Sequence, residues 1–140
     1  LWEGGIRVPC ILSWPGTILE DRVRRQPVMS TDILPTLAAY TGVPLPQRHL
    51  DGRDLAPVIG SAAAPAPRAI MHWTHQDSWA VREGPWKLTV EGDKGFLVNL
   101  DDDPGELHNL GSQRQDLVQR FVDSHNNWMK AISDRRTSGV

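Results

Sequence analysis

Cysteine is nearly absent from this sequence of 140 residues. The single Cys10 excludes an internal disulfide and any zinc site built from several thiolates. No Asn-x-Ser/Thr triplet occurs, so an N-linked glycan finds no acceptor here. No apolar run approaches the roughly 18 residues of a membrane-spanning helix, and no such span is encoded. Charge of one sign is also missing. The net charge is -2 and the basic residues are scattered, which argues against a nucleic-acid partner. The densest basic patch, Arg22, Arg24 and Arg25, stands beside Glu20 and Asp21 and reads as a solvated loop. One Tyr and two Phe against six Trp leave aromatic packing to the indoles, and Trp14 and Trp128 fall on periodic apolar faces expected in the core.

The length is that of one domain or two small lobes. The opening LWEGGIRVPCILSWPG reads as the interior of a longer chain, because Leu1 and Trp2 lead at once into a turn at Glu3, Gly4 and Gly5. Continuous apolarity from Val8 to Trp14 predicts a strand covered on both faces, with Cys10 buried and inert inside it. STDILPTLAAYTGVPLP predicts a helix capped by Ser30, Thr31 or Asp32 and closed by Gly42 and Pro44, burying Ile33, Leu34, Leu37, Ala38 and Thr41. QRHLDGRDLAPVIG offers an Asp51-Gly52 turn and a short helical piece. Residues 61–67, SAAAPAP, have the composition of a connector.

Beyond the connector the period changes to two. RAIMHWT, SWAVREG, WKLTV and GFLVNL predict four short strands in an antiparallel meander. A last amphipathic helix is predicted from Ser112 to about Ser133, with Ser112 and Gln115 spaced as a capping box and with Leu117, Val118, Phe121, Val122, Trp128, Met129 and Ile132 on one side. That helix laid over one face of the sheet gives the lobe its own core. The fold class is therefore α/β, or α+β for these residues alone, divided as 1–60, a linker 61–67, and 68–140.

Candidate chemistry is sparse. Ser13 lies in LSWPG and no base stands near it, so no hydrolase triad is visible. His72 and His75 suggest a metal, but residues three apart on a strand point to opposite faces and no third ligand completes a set. A loop-borne His reaching a substrate pocket is the other functional reading, because Trp73, His75 and Trp79 suit the polar and stacking demands of an organic ligand, with ordinary packing as the alternative. Asp101, Asp102, Asp103 and Glu106 lack calcium-loop spacing, because Pro104 and Gly105 turn the chain at once.

Five ordered segments, WEGGIRVPCILSWPG, STDILPTLAAYTGVPLP, LDGRDLAPVI, WAVREGPWKL and LVNLDDDPGELHNL, closely resemble the carboxy-terminal part of the type I, formylglycine-dependent sulfatases of the alkaline-phosphatase superfamily. The resemblance covers nearly the whole chain. It implies the end of the sulfatase α/β domain (1–60), then a small four-stranded antiparallel sheet packed on a C-terminal helix (68–140). It further implies a parent that hydrolyses sulfate esters with formylglycine and calcium, on a sulfated small molecule or carbohydrate. Cys10 is followed by ILSW rather than the formylglycine motif, so no catalytic residue, metal ligand or cofactor is carried over to this chain. The nucleophile, calcium site and sulfate clamp are expected upstream of Leu1, and these residues are expected to be inert alone, with His72, Trp73 and His75 as substrate-pocket wall. The missing N-terminal catalytic region is the expected partner; the strand at 8–14, left with an open edge, is predicted to pair with a second copy, to swap or to lose order. By family analogy the compartment is periplasmic, secreted or lysosomal. A standalone binding or assembly module, or a fragment of a phosphodiesterase or phosphonate hydrolase of the same superfamily, is the competing reading.

Overall fold

A computed structural model describes residues 1–137. The chain divides into two compact units, one formed by Leu1–Pro9 with the chain from Ala69 onward, the other by Cys10–Arg68. The later boundary falls where the connector ends. The first nine residues, assigned by sequence to the earlier lobe, belong instead with the C-terminal sheet, for the electrostatic reason given below.

In the first unit, four strands follow one another in the sheet order β1-β2-β3-β4, all antiparallel: β1 (Ile70–His75), β2 (Ser78–Glu83), β3 (Trp86–Glu91) and β4 (Lys94–Asn99). Each hairpin turns through two residues, since His75 faces Ser78, Glu83 faces Trp86 and Glu91 faces Lys94. Such turns call for positive φ, which Gly92 supplies at 57° without a Cβ clash. Register then fixes the faces: His72, Val81, Leu88 and Leu97 form one cross-strand row, and Arg82, Lys87 and Val98 lie on the other side.

The helix α4 (Gln115–Thr137) covers the first face. Its Leu117 and Phe121 join Val81, Leu88 and Leu97 in one buried cluster, flanked by Ile70, Trp79, Trp86, Val90, Val118 and Val122. The helix starts three residues after the expected Ser112, with Arg114 joined to Asp116 at 3.0 Å across its first turn. Met129, expected in the stripe, is exposed. Position 125 of that stripe is instead filled by His125, only 5% exposed.

The opposite face is buried as well, at Met71, Ala80, Thr89 and Val98. Here the start of the chain returns to the sheet: α1 (Glu3–Ile6) is a single helical turn, and the Trp2 indole lies edge-on to Phe96 at 5.1 Å while its Nε1–H donates to Glu91 Oε1 at 2.9 Å. Gly4 and Gly5 serve a helical turn, so neither requires positive φ.

In the second unit, the turn Ser30–Asp32 leads into α2 (Ile33–Thr41), ended by Gly42, and α3 (Ala56–Gly60) follows. The predicted helix is present, but its predicted stripe is not the buried one. Ile33, Leu34 and Leu37 are exposed, whereas Pro35 and Thr36 are buried. The cause is polar docking: Thr36 Oγ1 donates to Asp32 O at 2.6 Å and accepts the Leu55 N–H at 2.9 Å, which turns that side of α2 inward. Gly52 sits so close that a Cβ there would meet Thr31 O at 2.1 Å.

No strand forms over 8–14, which contradicts the sequence expectation; the segment has no regular secondary structure and faces solvent, with Cys10 exposed and Ile11 88% exposed. An apolar run becomes a strand only where partner strands accept its backbone, and none of the four described strands pairs with it. Trp14, expected in the core, is likewise exposed and leans on Tyr40 at 6.0 Å.

Phe121→Ala is expected to lower stability by about 3–5 kcal/mol in urea denaturation, whereas exposed Met129→Ala is expected to stay within about 0.5 kcal/mol.

Candidate functional site

Three polar clusters are candidates for chemistry, two of them ionic. In the first unit Lys87, fully buried on β3, places its Nζ 3.0 Å from Glu3 Oε1 and 2.8 Å from Glu106 Oε1. Arg82, on the neighbouring strand, reaches Glu3 Oε2 at 3.4 Å. The Glu3 N–H also donates to Glu106 Oε2 at 2.5 Å. Arg7, largely in solvent, comes to 4.0 Å from the same Glu3 Oε2, so three cations meet two carboxylates. A lone buried ammonium would cost several kcal/mol, so the carboxylates are a condition of Lys87 being there at all. This requirement explains why residues 1–9 belong with the sheet.

Sequence reading treated Glu106 as part of an acidic surface turn. Asp101 and Asp102 do lie in solvent, but Glu106 points inward, at φ 54°. The Asp103 carboxylate builds the loop by accepting the Leu107 and His108 N–H groups, both at 2.8 Å, and these bonds hold its own pKa below the usual range. Asn109 ties the loop to β4, accepting the Leu97 N–H at 3.1 Å and donating to Gly95 O at 3.0 Å. These carboxylates are committed to backbone and ammonium donors, an arrangement that does not fit a calcium site. Among the described residues, no three His, Cys, Asp or Glu side chains gather as a metal-ligand group.

In the second unit Asp32 is fully buried and gathers four donors: the Arg68 guanidinium in a bidentate pair, the Met29 N–H at 2.8 Å and the Arg53 N–H at 2.8 Å. Burial pushes its pKa up, but Arg68 and the two amides outweigh that and hold it below 3.8. The basic segment is also partly enlisted: Arg24 donates to the carbonyls of Val58 and Ile59, both at 2.8 Å.

The third cluster contains one of the sequence-predicted site residues. His72 stacks on Trp128 at 5.0 Å and lies 6.0 Å from His125, which in turn stacks on Trp79 at 4.2 Å. Trp73 and His75 project from the other face of β1, with His75 exposed. The three therefore do not form one wall. Two shallow concavities, of about 540 Å³ beside Val23, Arg25, Gln26 and Ala62 and about 430 Å³ beside Trp2, Gly4, Pro104, Gly105 and Glu106, include none of them.

Sequence reasoning missed Glu3, Lys87, Arg82, Asp32, Arg68 and His125 as interacting groups. The signal available for Lys87 was a charge in the middle of a short apolar strand; for His125, it was a position on the helical stripe four residues after Phe121.

Because the folded Asp32 titrates below its unfolded value, its stabilisation is present above pH ~3.9 and is lost as pH falls through the folded value. Asp32→Asn is expected to cost about 3–5 kcal/mol at pH 7 by leaving Arg68 without its charge partner, and the difference from wild type in urea denaturation is expected to shrink below pH 4.

Comparison with known proteins follows the same residues. The family model described as N-sulphoglucosamine sulphohydrolase, C-terminal, matches residues 1–130. Human steryl-sulfatase is 41% identical over 90 residues, covering 63% of this chain and 15% of that protein. Human arylsulfatase A is 33% identical over 138 residues, covering 78% of this chain and 27% of that protein. Among solved structures, Ps i-CgsB shares the fold over 82% of this chain and 27% of its own, with a TM-score of 0.69 and 24% identity. BT1596, a 2-O GAG sulfatase, does so over 76% of this chain and 26% of its own, with a TM-score of 0.56 and 24% identity. The chain thus spans about a quarter or less of the length of these relatives. With the four-stranded antiparallel sheet and its C-terminal helix in place, the chain belongs to the N-sulphoglucosamine sulphohydrolase C-terminal family and is a sulfatase C-terminal domain.

Proposed function

We propose that this domain is the non-catalytic part of a sulfuric ester hydrolase, supplying scaffold and a portion of the substrate-cleft wall. The observation that carries this reading is the family match over residues 1–130, combined with polar clusters that are committed to holding the domain together. The formylglycine, calcium and sulfate-binding groups then belong to the part of a sulfatase that these residues do not represent. Ser13 and Cys10 lie on exposed chain without regular secondary structure, and neither has a hydrogen-bonded base.

The wall contacts fall to Trp73 and His75, which share a face of β1, while His72 is engaged under α4. A sulfated small molecule or carbohydrate is the substrate class. The exposed apolar side chains Ile11, Val23, Ile33, Leu34 and Leu37 support docking of the second unit on the remainder of a sulfatase fold, and self-association of the isolated chain through residues 8–14.

The purified 140-residue chain is expected to show no turnover of an aryl sulfate with or without added calcium; measurable hydrolysis would refute the reading. In a full-length sulfatase bearing this domain, Trp73→Ala or His75→Ala is expected to change the kcat/KM ratio between two sulfate esters by about 10-fold. An unchanged ratio removes both residues from the wall. Light scattering of the isolated chain is expected to show mass rising with concentration, and a constant monomer mass contradicts self-association.

A further inference from the structure

Two imidazoles meet a helix without any acid to hold a proton on them. His72 rises from β1 and His125 descends from α4, their ring centroids 6.0 Å apart. Each is laid flat against an indole from the opposite element: His72 on Trp128 of α4 with the planes 9° apart, His125 on Trp79 of β2 with the planes 10° apart. The Nδ1 atom of each ring is buried and has no hydrogen-bond partner. This is an arrangement for neutral rings. A protonated imidazole has two N–H donors, and the one at Nδ1 would find no acceptor in either ring's place.

The charged groups on the packed elements do not supply one. Glu83 of β2 is joined to Arg120 of α4 at 2.6 Å, and Asp123 accepts from Gln119 at 2.9 Å. In the last turns of α4 stand Lys130, Asp134, Arg135 and Arg136, of which Asp134 and Arg135 have partners of their own, and on β1 His75 is exposed at the strand end. The charge that acts on His72 is that of His125 itself, so a proton on His125 opposes one on His72. An indole face does attract a cation, which favours charging one ring. Burial and the second imidazole act the other way and prevail.

We propose that the His72–His125 pair is an acid-released catch for the second half of α4, seated when both rings are neutral and freed when either must take a proton. Burial first, and His125 second, hold the His72 pKa down to about 4, while burial alone lowers that of His125. For a base depressed in this way, the seated helix carries no penalty above the ordinary value of about 6.5; the penalty grows as pH falls below it and levels off only below the folded value. Release therefore spans the window between those two values. This property stands on the domain's own geometry and is independent of any catalytic role.

Amide hydrogen exchange on the full chain tests it, with protection expressed relative to the unstructured rate at each pH. Between pH 7.5 and 5.0, protection from His125 to the end of α4 is expected to fall about 10- to 30-fold while the amides of β3 and β4 keep theirs. The double variant His72→Phe with His125→Phe, which keeps flat rings but has no proton to take, is expected to show no such fall. Unchanged protection in wild type, an equal loss in the strands, or an equal loss in the double variant overturns the proposal. Should that variant not fold, NMR titration of the two imidazoles in wild type decides: both titrating well below 6.5 supports the catch, and either titrating at or above 6.5 overturns it.

Discussion

A fully buried lysine on a central strand sets the terms for the first unit. Lys87 is held in its position by carboxylates that arrive from distant parts of the sequence, Glu3 and Glu106, and Arg82 also pairs with Glu3. Attraction between such groups is strong in a poorly polar interior, but so is the cost of removing them from water, and the two nearly cancel when every partner is present. What does not cancel is the loss of one partner. The cluster therefore stabilises less than it specifies: it admits one placement of α1, and with α1 comes the Trp2 contact to Phe96 and Glu91. A sheet with α4 on one face would otherwise leave Ala80, Thr89 and Val98 facing water.

The second unit follows the same logic with less apolar support. Leu55 and Val58 are its buried hydrophobic side chains, while Asp32 collects Arg68, Met29 and Arg53, and Thr36 collects Leu55. Polar geometry, more than apolar area, decides which side of α2 faces inward. The consequence is visible on the outside, where Ile33, Leu34 and Leu37 remain in solvent although helical periodicity alone would bury them.

Local signals were legible in the sequence wherever the physics was local. The four strands lie within a few residues of their expected bounds because two-residue turns at Gln76, Gly84 and Gly92 interrupt period-two segments, and the helix at 115–137 follows from its apolar stripe. Non-local pairing was not legible. Nothing in WEGG announces that Glu3 will meet a lysine 84 positions later, and Asp32 reads as a helix cap until Arg68 is beside it. The run Val8–Trp14 shows the reverse error, since apolarity marks what would be buried beneath a partner and says nothing of whether that partner is present. The candidate wall of His72, Trp73 and His75 was legible as a group of aromatic residues, but strand alternation separates His72 from the other two.

The same constraint links fold to proposed function. A domain whose ionisable clusters are committed to fixing its own segments is, in the proposed reading, one that contributes shape and surface to an ester hydrolase. The most direct measurement is a double-mutant cycle in urea denaturation with Glu3→Gln, Lys87→Met and the pair together. Single variants that each destabilise, with a coupling energy of about 2 kcal/mol or more, are the predicted result. Effects that simply add, within about 0.5 kcal/mol, would contradict the account, because Glu3 and Lys87 would then not depend on each other.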